Sequence, residues 1–195
     1  MKIGVLCLQG AVREHVAALE RCNVDAECVK NKDQFAGLDG LIIPGGESTT
    51  IGKLIDRFGL DQPIADMIRE GKPVWGTCAG LILLAKQLQG NTQFLLQQMD
   101  IAVERNAFGR QKESFEEDLV IPVLGDKPFR AVFIRAPQIK ECGEDVEILA
   151  TCRGEVVAAR QGNILVSSFH PELTADERMH QYFAEMVRQA GERQK

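Results

Sequence analysis

Short apolar runs alternate with helical periodicity through the first half of the chain, and this alternation constrains the fold more than any other feature. KIGVLCL (2–8), DAECVK (25–30), LDGLIIPGG (38–46) and KPVWGT (72–77) read as strands bounded by glycine, proline or charge. Between them AVREHVAALERC (11–22) carries Val12, Val16 and Leu19 on one helical stripe, and TTIGKLIDRF (49–58) and PIADMIREG (63–71) are also helical. AGLILLAKQL (79–88) continues as an apolar helix. Consecutive parallel strands need a crossover, usually a helix. The pattern therefore predicts an α/β fold whose parallel sheet is covered on both faces.

From about residue 99 the texture changes. MDIAVER, EEDLVIPVL, FRAVFIRAP, VEILATC, GEVVAARQG and NILVSSF are strand-like and too closely spaced for helices between them. They are expected to add mixed or antiparallel strands to the sheet, with TCRGEV (151–156) as a hairpin turn. TADERMHQYFAEMVRQ (174–189) closes the chain as a helix. Thr174 and Glu177 fit a capping box, and Met179, Phe183 and Met186 form its core stripe. With no repeat or linker, residues 1–195 are expected to form a single domain.

The net charge of −5 argues against a nucleic-acid backbone or an anionic membrane as main partner. No apolar run approaches the roughly 20 residues of a membrane span. The first run is too short for a signal-peptide core, which points to a cytoplasmic protein. Cys7, Cys22, Cys28, Cys78, Cys142 and Cys152 lie without CxxC pairs. Neither a zinc site nor a disulfide framework is implied, and most are expected to be reduced thiols packed as small hydrophobes. No metal or cofactor motif is present.

Cys78 stands apart because Gly76-Thr77-Cys78-Ala79-Gly80 falls where a strand gives way to a helix. A nucleophile elbow has this form: a tight turn with small neighbours, the helix N-terminus favouring a thiolate, and the next N–H, here Ala79, facing a developing oxyanion. From the pentapeptide alone, a buried structural cysteine fits as well. A thiol nucleophile needs a base, and the histidines are His15, His170 and His180. His15 and His180 lie within helical patterns and read as surface or partly packed side chains. His170 follows a strand in Phe169-His170-Pro171-Glu172, where Glu172 can turn back to accept from the imidazole. IIPGGEST (42–49) is another strand-end loop; it lacks a phosphate-binding signature and carries Glu47, so an oxyanion or carboxamide loop is the better reading. In a parallel sheet these three segments fall together at the carboxyl ends of strands, which favours a catalytic Cys78. Arg105, Arg110 and Arg135 are candidates for a substrate carboxylate, and ESFEED (113–118) reads as a solvated face.

Taken together, LQGAVREH (8–15), PGGESTT (44–50), GTCAGLILLAK (76–86), VERNAFGRQ (103–111), FIRAP (133–137) and SFHPEL (168–173) resemble the class I, or triad, glutamine amidotransferases, and among them the glutaminase subunits of pyridoxal 5′-phosphate synthases. QGNTQFLLQQMD (89–100) departs from that pattern, and Trp75 before the elbow is bulkier than the usual Phe. The resemblance implies a three-layer, flavodoxin-like fold with a mixed, mainly parallel central sheet. It implies a Cys78–His170–Glu172 triad that hydrolyses L-glutamine to glutamate and ammonia through a γ-glutamyl thioester. Gly45, Gly46 and Ala79 would be oxyanion donors, and Gly46, Glu47, Ser48, Arg105, Ile134 and Arg135 would bind glutamine. The implied partner is a (β/α)8-barrel synthase subunit that receives the ammonia, with LQGAVREH in the docking surface. Another cysteine hydrolase of flavodoxin-like fold would share the elbow but not PGGESTT or HPE. A catalytically silent subunit would not need all three triad residues. The glutaminase of imidazole glycerol phosphate synthase would share the chemistry, but RNAFGRQ favours the pyridoxal branch.

Overall fold

The computed structural model describes residues 1–105 and 114–193. The chain runs β1 (Lys2–Leu6), α1 (Val12–Arg21), β2 (Asp25–Val29), β3 (Gly40–Ile43), α2 (Ser48–Phe58), α3 (Asp61–Arg69), β4 (Val74–Thr77) and α4 (Ala79–Leu84). The second half adds β5 (Ala85–Gln89), β6 (Met99–Glu104), β7 (Ser114–Leu119), β8 (Phe129–Ile134), β9 (Gln138–Cys142), β10 (Glu147–Cys152), β11 (Glu155–Gln161), β12 (Ile164–Ser167) and α5 (Arg178–Arg193). The main sheet has the order β2-β1-β3-β4-β12-β11-β9-β6-β5, with β10 also on β11. Neighbours from β2 to β12 are parallel, whereas β12/β11, β11/β9 and β9/β6 are antiparallel.

The period-2 alternation of strand side chains builds a separate core on each face. Leu6, Leu41, Ile43, Val74 and Val166 point to one face, where they meet Ile51, Ile55, Leu81 and Leu83 of α2 and α4. Ile3, Val5, Ile42, Trp75 and Leu165 point to the other, against Leu19 of α1 and Met179, Phe183 and Val187 of α5. Thr77 shares its face with Trp75, two residues before it, so it points toward α1 and α5.

Four local expectations give way to tertiary contacts. The apolar helix after Cys78 stops at Leu84, and 85–89 become strand β5. The N–H groups of Leu96 and Gln98 donate to the carbonyls of Leu83 and Leu84, while Ala85 pairs with Met99. β7 and β8 do not join the main sheet. They form their own hairpin, with Phe115 stacked on Phe133, and Phe129 and Phe133 buried against the Trp75 core. The capping box at Thr174 is replaced by Asp176, whose Oδ1 accepts from the Arg178 N–H, while Glu177 pairs with Arg21 across to α1. Finally, Cys7 and Cys28 are joined in a disulfide: just past β1 the Cys7 N–H donates to the Val29 carbonyl of β2, and the two Cα atoms lie 5.5 Å apart. The other four cysteines are free.

Candidate active site

The carboxyl ends of β3, β4 and β12 are adjacent, and each delivers one part of the site. Cys78 sits between β4 and α4 with φ 47° and ψ −98°, a conformation that L-residues adopt only under constraint. Its N–H donates to the Ser167 carbonyl of β12 at 2.8 Å, which holds the turn. The two glycines around it are required by space. A Cβ on Gly76 would lie 2.5 Å from the carbonyl carbon of Gly80, and one on Gly80 would lie 2.1 Å from the Ile43 carbonyl oxygen. Any larger residue at either position would push β3 and β4 off the turn.

His170 leaves the end of β12, its N–H donating to the Val132 carbonyl at 2.8 Å. Pro171 then starts a single 3-10 turn that swings Glu172 back, so that His170 Nδ1 lies 2.7 Å from Glu172 Oε1. The other side of the ring faces Cys78. Burial opposes a charge on His170, but hydrogen bonds to Cys78 and Glu172 and the charges of both outweigh it, raising its pKa to about 10. Burial would likewise raise the Glu172 carboxyl, but His15 and His170 outweigh it and hold the group below its usual range.

His15 and His180 are fully buried, beyond the surface or partly packed positions expected of them. They lie 165 residues apart in sequence, yet His15 Nδ1 is 2.9 Å from His180 Nε2. His15 Nε2 is 3.1 Å from Thr77 Oγ1 and 3.3 Å from Glu172 Oε2. Both rings stand edge-on to Trp75. Their burial was legible in part. His15 falls on the Val12–Val16–Leu19 stripe of α1, and His180 is flanked by Met179 and Phe183 on α5. What the pattern lacked was the polar partner that makes a buried histidine tolerable.

The glycine loop after β3 is tied down at both ends. Gly45 N–H donates to Thr77 Oγ1 at 2.9 Å, and Glu47 N–H donates to Gln9 Oε1 at 2.8 Å. Glu47 caps α2, accepting from Thr49 and Thr50 N–H, and pairs with Arg105 at 3.2 Å. Burial pushes its carboxyl up, but the Thr50 and Thr49 donors and Arg105 together outweigh this and lower it. A cavity of about 240 Å³ opens above Cys78 and His170. Gly46, Glu47, Ser48, Arg105, Ile134 and Arg135, the six expected substrate contacts, all line it, together with Ala79 and Gln9. Arg110 lies outside the described residues. A larger hollow of about 330 Å³ lies at the amino ends of β4 and β12, between Glu70, Arg160 and Arg193, and contains no nucleophile.

Gln93 belongs to the segment without a readable pattern, so nothing in the sequence singled it out. Its Oε1 accepts from Ser48 Oγ at 3.0 Å, Thr49 Oγ1 at 3.3 Å and Arg105 Nη1 at 3.3 Å. It thus joins two residues of the cavity wall from behind. No group of three metal-ligating side chains occurs among the described residues.

The SNO glutamine amidotransferase family matches residues 5–189. The chain is similar to two proteins described as pyridoxal 5′-phosphate synthase subunit PdxT. That of Geobacillus thermodenitrificans is 58% identical over 190 residues, covering 97% of each chain. That of Geobacillus kaustophilus is 59% identical over 190 residues, covering 97% of this chain and 96% of the relative. A crystal structure described as a glutamine amidotransferase superposes with a TM-score of 0.90 at 50% identity, covering 95% of this chain and 98% of that one.

Proposed function

The chain belongs to the SNO glutamine amidotransferase family, and from that premise we propose that it hydrolyses L-glutamine and passes the ammonia to a synthase subunit that makes pyridoxal 5′-phosphate. The observation that carries the chemistry is the convergence of Cys78, the His170–Glu172 pair and a cavity of about 240 Å³ at the ends of three adjacent strands. The glutamine side chain lies with its carboxamide over Cys78, and Arg105, Arg135 and the 46–48 loop hold its α-groups and stem. Cys78 Sγ attacks the carboxamide carbon. His170 donates its proton to the departing nitrogen, so ammonia leaves and a γ-glutamyl thioester remains. Water then attacks with His170 as base, releasing glutamate and restoring the thiol. Glu172 keeps the imidazole oriented and offsets its charge.

The oxyanion needs N–H donors that are not engaged elsewhere. Gly45 N–H already donates to Thr77 Oγ1, so we assign the role to Gly46 and Ala79 and revise the expectation for Gly45. The partner is taken to be a (β/α)8 barrel, and the transfer to be enclosed, because ammonia released into neutral water is protonated and no longer nucleophilic.

The test is glutamine hydrolysis by the purified chain with and without the synthase subunit. Low activity alone and clear stimulation on mixing are expected. Stimulation only by a synthase of histidine biosynthesis would overturn the pathway assignment. The cavity wall adds a separate expectation. Gln93→Leu removes the acceptor shared by Ser48, Thr49 and Arg105. Steady-state kinetics should show KM for glutamine raised about 10-fold with kcat nearly unchanged, since the loss falls on binding.

A further inference from the structure

His15 and His180 are not used by the triad chemistry, yet they form a buried polar chain directly behind it. The tautomers follow from the surroundings. His180 Nδ1 is buried with no hydrogen-bond partner among the described residues. An orphaned lone pair there costs less than an orphaned N–H, so the proton of His180 sits on Nε2 and is donated to His15 Nδ1. His15 must then carry its own proton on Nε2, which lies between Thr77 Oγ1 at 3.1 Å and Glu172 Oε2 at 3.3 Å. The opposite assignment would leave a buried N–H on His180 unpaired and face a His15 lone pair with a carboxylate oxygen. Glu172 Oε2 is itself buried and receives no well-aligned hydrogen bond, so the His15 N–H is the donor within reach of it.

Thr77 extends the consequence. The same hydroxyl oxygen that faces His15 accepts the Gly45 N–H at 2.9 Å. His15 therefore touches both the carboxylate that orients the base and the hydroxyl that anchors the glycine loop. We propose that His15, locked in one tautomer by His180, is a positioning residue that holds the Glu172 carboxylate and, through Thr77, the Gly45 end of the oxyanion loop. This rests on the triad reading given above and deepens it.

The charged neighbours are few. His15 is faced by Glu172 and His170 from the 170–172 turn, by His180 from α5, and by Glu14 on its own helix; Arg21 acts on His180. Burial lowers the pKa of His15 and pushes that of His180 down to about 2, so both are neutral at pH 7 and His15 acts through its N–H. Because that N–H favours the ionised carboxylate, removing it raises the Glu172 pKa. Reactivity that depends on ionised Glu172 is then lost at a higher pH than in the wild type.

The experiment compares wild type, His15→Leu, His15→Gln and His180→Phe, each with its synthase partner. Three quantities are read: kcat and KM for glutamine, the pH dependence of Cys78 alkylation by iodoacetamide followed by mass spectrometry, and the thermal midpoint. For His15→Leu, kcat should fall about 10-fold or more with KM within about twofold. The acid limb of Cys78 alkylation should move up by about one pH unit. His15→Gln places an amide N–H near the lost Nε2 and should restore most of both. His180→Phe keeps the packing on Trp75 but frees the His15 tautomer, and should give an intermediate loss. A folded His15→Leu protein with wild-type kcat and pH profile would overturn the proposal. Should His15→Leu not fold, imidazole 15N spectra of the wild type decide: an Nδ1–H tautomer at His15 overturns it, and an Nε2–H tautomer together with the His180→Phe loss supports it. If wild-type Cys78 is alkylated no faster than Cys22, Cys142 and Cys152 and glutamine is not hydrolysed, the triad reading fails, and this proposal fails with it.

Discussion

Cys78→Ala protein is expected to fold as the wild type does and to lose glutamine hydrolysis by about 10⁴-fold or more. The Cys78 side chain is small; its Sγ faces the His170 ring and lies 3.9 Å from the Ile134 carbonyl, and neither contact holds the turn. Its backbone is held independently by the bond to Ser167 and by the close approach of Gly80 to Ile43. Removing the sulfur therefore takes away the nucleophile without taking away the turn. No neighbour is placed to replace it. Ser48 lines the same cavity, but its hydroxyl donates to Gln93 and it has no base beside it comparable to His170. Glutamate release in the presence of the synthase subunit measures the effect, and circular dichroism checks the fold. Hydrolysis by folded Cys78→Ala protein at a wild-type rate would remove the thioester mechanism.

Gly45→Ala should lower kcat by about 100-fold, because displacing a catalytic group by about 1 Å costs that much. A Cβ at this position would lie 2.4 Å from His170 Cε1, 3.0 Å from His170 Nδ1 and 3.3 Å from the Cβ of Cys78. The ring has no room to retreat, since its backbone N–H is bound to Val132 and its Nδ1 to Glu172. The methyl group must therefore either wedge the imidazole away from the sulfur or push the loop off Thr77, and both separate parts that act together. The readouts are kcat and the rate of Cys78 alkylation, which should fall in parallel while the far-ultraviolet spectrum stays unchanged. Activity near wild type would mean that the loop stands further from the base than 2.4 Å implies.

The parallel core and the positions of Cys78, His170 and Glu172 at strand ends are readable because each depends on short-range rules. Strand alternation, helical stripes and glycine pairs are local patterns, and they place 44–50, 76–80 and 168–172 at strand ends. The errors fell where a local preference was overruled by distant partners. The apolar run after Cys78 ended at Leu84 because backbone groups of 96–98 captured its last carbonyls, and Thr174 lost its cap to Asp176. Cys7 and Cys28 joined because the chain leaving β1 stays bonded to β2, the Cys7 N–H donating to the Val29 carbonyl.

The sequence by itself determined the class of fold, the glycine-flanked turn around Cys78 and the His170–Glu172 pair that follows β12. Spacing within a few residues is enough to specify a turn, a strand end or a carboxylate two positions beyond a histidine. Only the tertiary structure decided that His15 meets His180 behind Glu172, that Gly45 donates to Thr77, and that Gln93 braces Ser48 and Arg105. Those contacts join residues 12 to 165 positions apart, and the pairing of buried polar groups depends on which faces the sheet brings together, which no local pattern encodes.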